Sequence, residues 1–171
     1  MYRTRNMQTI AAAVAAMTAV TATIAMTGPA QARDSCRKSS KSVDTPTYSG
    51  PFPDNWEFTV TACARRSGGR VGHYATISWN LPGSVFPSGG VFNSTGTGLE
   101  VQARSGGSVR TTAWTDLHAP LDRARDGSHK TRTVTVNYGA GRAATGVVLY
   151  LDWKNDGKGS QKLVFASSPT V

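Results

Sequence analysis

Two histidines and two basic residues that share one connecting segment could carry acid–base chemistry. The segment 116–132 lacks the alternation of apolar and polar residues that surrounds it, which predicts a long loop. Within it, His118 and His129 could act as general base and general acid. Lys130 and Arg132 could stabilise the negative charge that develops on a phosphate. Cleavage of phosphodiesters is therefore one hypothesis for this segment.

The same loop has two other interpretations. His118, Asp122, Asp126 and His129 are residue types that bind metals, but their spacing matches no familiar ligand motif, so we predict neither a metal nor another cofactor. A solvated loop whose charges pair locally also explains these residues, because exposed ion pairs are common and contribute little. We favour the solvated loop. The loop 118–132 remains the site of an alternative function, that of a small, basic, secreted hydrolase resembling a nuclease.

Exposed aromatic rings on a β-sheet offer different chemistry, because they can stack against sugar rings. Trp114 has polar neighbours on its side of a predicted strand, and Trp153 stands at a strand end. Trp56 and Trp79 instead share a strand face with Phe58 and Ile77, respectively, which predicts that they are buried. We take these residues as candidate ligand-binding residues: Trp114, Trp153, Arg123 and Arg125.

The sequence lacks the usual local signatures of hydrolases. It contains no Gly-x-Ser-x-Gly and no His-Glu-x-x-His motif. Glu57 and Glu100 occupy alternating positions in predicted strands, which favours solvent-facing side chains over an acid–base pair. We therefore favour a non-catalytic protein. The segment 84–88 is the stretch best suited to an exposed loop that enters a protease cleft.

The elements that position these residues are predicted to be strands. Seven segments show the period-two alternation, or the continuous apolar run, that is typical of strands, and Gly-rich turns separate them. This pattern predicts one antiparallel β-sandwich over residues 56–171, immunoglobulin-like or jelly-roll-like, with about seven to eight strands. The predicted strands are 56–62, 74–81, 99–104, 109–117, 133–138, 147–153 and 163–166.

The region before the sandwich is predicted to be held by a disulfide. Residues 33–55 are polar and rich in turn-forming residues, which predicts an irregular N-terminal arm. Cys36 and Cys63 are the only cysteines, and such a pair forms one disulfide in an oxidising compartment. The bond would tie the arm to the first strand and contribute about 3–4 kcal/mol to stability.

The N-terminal residues predict export from the cell. Arg3 and Arg5 precede an uncharged stretch from Ile10 to Met26, and Ala30-Gln31-Ala32 matches the small-x-small pattern that signal peptidase cleaves. We therefore predict a cleaved signal peptide over residues 1–32. The product would be secreted, extracellular and without a membrane anchor, since no later segment is long and apolar enough to span a bilayer.

The charge of the protein narrows the range of partners. The sequence has 19 Lys and Arg against 10 Asp and Glu, a formal net charge of +9. Such a charge attracts polyanions, but it does not by itself indicate a specific nucleic-acid site. The favoured function is that of a monomeric, secreted, non-catalytic binding protein. Its predicted partner is a cell-wall or extracellular polysaccharide, or another secreted protein.

Overall fold

Two antiparallel sheets enclose the core of the protein. The computed structural model describes residues 32–46, 49–50, 54–81 and 90–171, and its compact unit is Ala32–Val171. Residues 1–31 of the predicted signal peptide and the predicted protease-binding loop 84–88 lie outside the described residues. No helix in the part that the structure describes has the length and apolar character to cross a membrane. In chain order the elements are β1 (Asp34–Val43), β2 (Trp56–Ser67), β3 (Arg70–Asn80), β4 (Gly98–Ser105), β5 (Ser108–Asp116), α1 (His118–Arg123), β6 (Asp126–Lys130), β7 (Val134–Asn137), β8 (Ala144–Leu151) and β9 (Gln161–Phe165).

The pairing of the strands produces the predicted all-β architecture. The first sheet has the order β1-β2-β3-β6, and β7 also pairs with β3. The second sheet has the order β5-β4-β8-β9, and every pairing in both sheets is antiparallel. The prediction of an antiparallel sandwich is thus confirmed, with nine strands among the described residues instead of seven to eight. The largest fully buried side chains of the shared core are Trp56, Trp153, Phe58, Phe92 and Ile77.

A turn of two glycines sets the register of the hairpin formed by β4 and β5. Gly106 and Gly107 connect β4 to β5, and both have positive φ, 56° and 84°. Two consecutive left-handed residues match the twist of the flanking strands. A β-bulge next to Ala103 then places Val109 opposite Arg104, so Val109 is 45% exposed instead of facing the core.

The irregular arm predicted for residues 33–55 is wrong over Asp34–Val43, which form the strand β1. Strand β1 pairs along β2 from Asp34 opposite Arg65 to Val43 opposite Trp56. Its side chains are mostly polar and exposed, because β1 is an edge strand held by backbone hydrogen bonds. The predicted disulfide between Cys36 and Cys63 is present and joins directly opposed residues of these strands.

The long loop predicted over 116–132 is also wrong. It contains the six-residue helix α1, which buries Leu121, and the strand β6. Strand β6 pairs with β3 from Asn80 opposite Asp126 to Thr76 opposite Lys130. Because β6 is short and lacks apolar residues, its pairing depends on backbone hydrogen bonds that hydrophobic alternation does not reveal.

Candidate functional site

The outer face of the second sheet presents two aromatic rings. Side chains alternate between the faces of a strand, so the buried position of Ala113 on β5 directs Trp114 outward, where it is 46% exposed. Tyr150 of β8 lies between the buried residues Leu149 and Leu151 and therefore points to the same outer face. The two ring centroids are 5.3 Å apart, with the ring planes tilted by 56°. The rings form an aromatic pair in which Trp114 is exposed and Tyr150 is partly buried.

A glycine beneath the tryptophan determines how its ring lies. Gly98 of β4 is paired with Asp116 on one side and with Tyr150 on the other. A Cβ atom at Gly98 would lie 2.3 Å from Cζ2 of Trp114, so the indole would have to move to accommodate it. The indole therefore rests on the backbone of β4 on its way from β5 toward Tyr150. Only glycine leaves room for this arrangement.

Three polar side chains form a row along the outer face of β4. The amide nitrogen of Gln102 donates to Oε1 of Glu100 at 2.6 Å, and Nη1 of Arg104 donates to Oε1 of Gln102 at 3.4 Å. Nη2 of Arg104 also donates to the carbonyl oxygen of Gly107 at 2.8 Å. The row leans over Gly146 of β8, where a Cβ atom would lie 2.8 Å from Cδ of Arg104. These contacts hold a carboxylate, an amide and a guanidinium group in a fixed order.

The register joins the row to the aromatic pair. Glu100 lies opposite Trp114, and Lys162 of β9 lies opposite Tyr150 with its Nζ atom 5.3 Å from the ring centroid. Val164, which is 59% exposed, extends the apolar surface on β9. We call this surface the aromatic–polar face. Its members are Trp114, Tyr150, Glu100, Gln102, Arg104, Lys162 and Val164.

Of the four tryptophans, only Trp114 is available for stacking. Trp153 is 1% exposed and packs against Phe92 in the core, with ring centroids 4.6 Å apart, so its candidacy as a ligand-binding residue is wrong. Trp56 and Trp79 are buried, as predicted. Trp153 is covered because an isolated bridge pairs it with Phe92, a contact between distant parts of the chain.

The two candidate arginines do not belong to the strands of the second sheet. Arg123 is the exposed last residue of α1, and Arg125 follows it in the link to β6. Nη2 of Arg125 donates to the carbonyl oxygen of Leu81 at 3.2 Å. Arg125 thus helps to fasten the link to the end of β3, which favours a structural role for it.

His118 contacts a carboxylate that organises the surrounding backbone. Its Nε2 atom lies 3.1 Å from Oδ2 of Asp122, one turn later on α1. Oδ1 of Asp122 accepts hydrogen bonds from the backbone nitrogens of Val91 and Phe92, at 3.0 and 3.3 Å. Asp122 therefore anchors α1 to the segment before β4, and His118 supports that anchor.

The other three residues of the nuclease hypothesis are dispersed. His129 lies opposite Ile77 and so shares the inward side of the first sheet, whereas Lys130 lies opposite Thr76 and points outward. Arg132 is exposed in the link between β6 and β7. Because His129 and Lys130 point to opposite sides of one sheet, the set does not converge on one phosphate. Within the described ranges, no three His, Cys, Asp or Glu side chains are grouped to hold a metal ion.

The sequence interpretation overlooked a third histidine, which lies in the core. His73 of β3 is fully buried, and its Nδ1 atom is 2.8 Å from Oγ1 of Thr145 on β8. Since that hydroxyl donates to the carbonyl oxygen of Cys63, Nδ1 must carry the proton of the imidazole. Nε2 is buried without a partner, and burial lowers the pKa of His73 to about 4. This neutral histidine joins the two sheets.

For most residues of the aromatic–polar face, the sequence predicted a position on a strand but no role in a site. The alternation placed Glu100, Gln102 and Arg104 on one side of a strand, but it did not indicate which strands flank them. Tyr150 was hidden in an apolar run, and Gly98 gave no signal at all. The pairing of β4 with both β5 and β8 supplies this missing information.

Comparisons of the chain with protein-family models, with curated proteins and with solved structures found no match in any of the three.

Proposed function

We propose that this protein is a secreted, non-catalytic β-sandwich that binds a polysaccharide on its aromatic–polar face. The observation that carries the proposal is the position of Trp114, which rests on Gly98 beside Tyr150 and stays 46% exposed. Large exposed aromatic side chains that are held in place commonly mark binding surfaces.

The chemistry of the face fits sugars. A sugar ring has apolar C–H surfaces, which stack on aromatic rings, and hydroxyl groups, which both donate and accept hydrogen bonds. The carboxylate of Glu100, the amide of Gln102 and the guanidinium of Arg104 offer acceptors and donors at intervals of about 7 Å along β4. Because their mutual hydrogen bonds already restrict these side chains, a ligand would lose little affinity by ordering them.

The proposed location rests on two features. The disulfide between Cys36 and Cys63 is compatible with an extracellular compartment. The predicted signal peptide 1–32 supplies the route of export. Mass spectrometry of the protein recovered from culture medium tests this part, because cleavage after Ala32 gives a mature chain that begins at Arg33. An intact N-terminus on the recovered protein would contradict it.

The decisive experiment for binding removes one aromatic ring from each outer face. We expect Trp114→Ala to weaken binding to polysaccharide by about 10- to 100-fold, which corresponds to the loss of one well-packed aromatic contact. Binding would be measured by affinity electrophoresis in gels that contain a panel of neutral and acidic polysaccharides, at low and high salt.

The matched control is Tyr74→Ala. Tyr74 lies on the outer face of the first sheet with Lys130 Nζ 4.8 Å from its ring, which mirrors Tyr150 and Lys162. We expect this variant to bind like the wild type. If both variants lose affinity equally, or if all binding disappears at high salt, the proposal fails, since the interaction would then reflect net charge alone.

A further inference from the structure

A cavity lies at the end of the polar row that is farthest from Trp114. It has a volume of about 300 Å³ and opens between the turn after β4, the start of β8 and the segment that follows β9. Arg104 and Arg142 are among the residues that line it, together with Ser105, Ser167 and Thr170. Among the described residues, none that lines the cavity has a carboxylate side chain.

Backbone and side-chain contacts hold the walls in position. The hydroxyl of Ser105 donates to the carbonyl oxygen of Arg142 at 3.0 Å, which fastens the turn to the segment that leads into β8. Ala143 and Val171 exchange backbone hydrogen bonds of 3.1 and 2.9 Å, which fasten the final segment of the chain to the same segment before β8. The cavity is therefore present before any ligand arrives.

The two guanidinium groups keep capacity to bind an anion. A guanidinium has five N–H donors, and the contacts of Arg104 with Gln102 and Gly107 occupy two of them. Within the described part of the chain, the side chain of Arg142 has no hydrogen bond or ion pair. Guanidinium groups favour carboxylate, sulfate and phosphate because their planar donors match paired oxygens.

The position of the cavity connects it to the proposed binding face. Arg104 belongs to both, and it lies four positions along β4 from Glu100, which lies opposite Trp114. This corresponds to about 13 Å along the strand. A short oligosaccharide stacked on Trp114 spans that distance, so one of its substituents would reach the cavity.

We propose that the cavity receives an oxyanion substituent of the polysaccharide, so that the ligand is an anionic polysaccharide. This inference rests on the proposed function and adds the class of ligand to it. Carboxylate, sulfate and phosphate substituents share the chemistry that the cavity recognises, and the experiment below separates them.

The test compares derivatives of one backbone. The full-length protein would be titrated, at physiological salt, with hydroxyethyl, carboxymethyl, sulfate and phosphate derivatives of cellulose. We expect at least one anionic derivative to bind about 10- to 100-fold more tightly than the neutral one, the range of a charge-assisted hydrogen-bonded contact. Arg142→Gln should remove this preference and leave affinity for the neutral derivative unchanged.

The control is Arg70→Gln, which removes an exposed charge from the first sheet. It should keep the preference. If it loses the preference as Arg142→Gln does, or if the wild type binds neutral and anionic derivatives equally, the anion site is refuted while the proposed function stands. Absence of binding to every derivative refutes the proposed function itself. Tighter binding to polyadenylate, lost in Arg142→Gln, would assign the cavity to nucleic acid and overturn the inference.

Discussion

The two outer faces of the sandwich carry the same tyrosine–lysine contact, and only one of them adds a tryptophan. On the first sheet, Nζ of Lys130 lies 4.8 Å from the ring of Tyr74. On the second sheet, Nζ of Lys162 lies 5.3 Å from the ring of Tyr150. Trp114 adds an exposed second ring beside Tyr150, and no such ring pair involves Tyr74 among the described residues.

The polar groups of the first face bond from strand to strand. The hydroxyl groups of Ser40 and Thr59 are 2.7 Å apart between β1 and β2. Arg65 of β2 donates to both carboxylate oxygens of Asp34 on β1, each at 2.7 Å, and this contact lowers the pKa of Asp34. The disulfide joins the same two strands. All these contacts serve the cohesion of the sheet.

The polar groups of the second face bond along one strand. Glu100, Gln102 and Arg104 all belong to β4, so their mutual hydrogen bonds add nothing to the pairing of β4 with its neighbours, and Arg104 donates in addition to Gly107 in the β4–β5 turn. They hold the side chains in order on an exposed surface instead. The contacts of the first face therefore stabilise the fold, whereas those of the second face hold polar side chains in positions that are accessible to a ligand.

Removal of the disulfide should have the largest effect and should be confined to stability. Cys63 lies opposite Tyr74 and so belongs to the first face. We expect the double variant Cys36→Ala/Cys63→Ala to lose about 3–4 kcal/mol of unfolding free energy, measured by urea denaturation, because the unfolded chain regains its freedom.

Polysaccharide affinity, measured at a temperature where the double variant is folded, should not change. The reduced wild-type protein serves as the control and should show the same loss of stability. A fall in affinity comparable to that of Trp114→Ala would show that the two faces are coupled, and would contradict a purely stabilising role of the first face.

Protonation of the buried histidine His73 should lower the stability of the whole fold, and therefore of both faces, as the pH falls. The pKa of His73 is about 4 in the folded protein, below its ordinary value of 6.5. The unfolded chain therefore binds a proton first, and stability falls as the pH decreases from 6.5 to 4. The full loss is about 3 kcal/mol, and no further loss from this group occurs below pH 4.

The variant His73→Gln isolates this contribution. Its amide cannot be protonated in this range, so the variant should be less stable at pH 7 but should lose less stability on acidification. Urea denaturation at pH 7, 5.5 and 4.5 gives the comparison. Parallel stability curves for wild type and variant would show that His73 does not control the response.

The sequence predicted the strands with alternating residues and missed those held by other forces. Strand β4 was found because buried Val101 and Ala103 alternate with the polar row. Strands β1 and β6 were missed because backbone pairing at a sheet edge requires no apolar pattern. The exposure of Val109 depends on a bulge, which alternation does not predict.

The sequence predicted one residue of the candidate site, Trp114, as a ligand-binding residue. It did not predict the others because pairing between strands that are distant in the chain brings them together. Polar neighbours on its own strand marked Trp114 as exposed. Trp153 had similar local surroundings, but its bridge with Phe92 buries it. Tyr150 and Gly98 become relevant only because β8 and β5 flank β4. Local sequence does not contain that register.

The smallest and most specific change tests whether the position of the indole matters. A Cβ atom at Gly98 would lie 2.3 Å from Trp114 Cζ2 and 2.7 Å from the carbonyl oxygen of Thr115. We expect Gly98→Ala to lift the indole from the sheet and to lower polysaccharide affinity about 10-fold. The crowded backbone oxygen adds a stability cost of about 1–3 kcal/mol.

A double-mutant cycle separates these two consequences. With Trp114→Ala already present, Gly98→Ala should cost no further affinity, because the ring that it displaces is gone. Part of the stability cost should persist, since the clash with Thr115 remains. Additive losses of affinity would mean that Gly98 acts through the backbone of β4. Binding by the second face would then depend on the shape of the sheet and not on Trp114, the residue that distinguishes this face from the outer face of the first sheet.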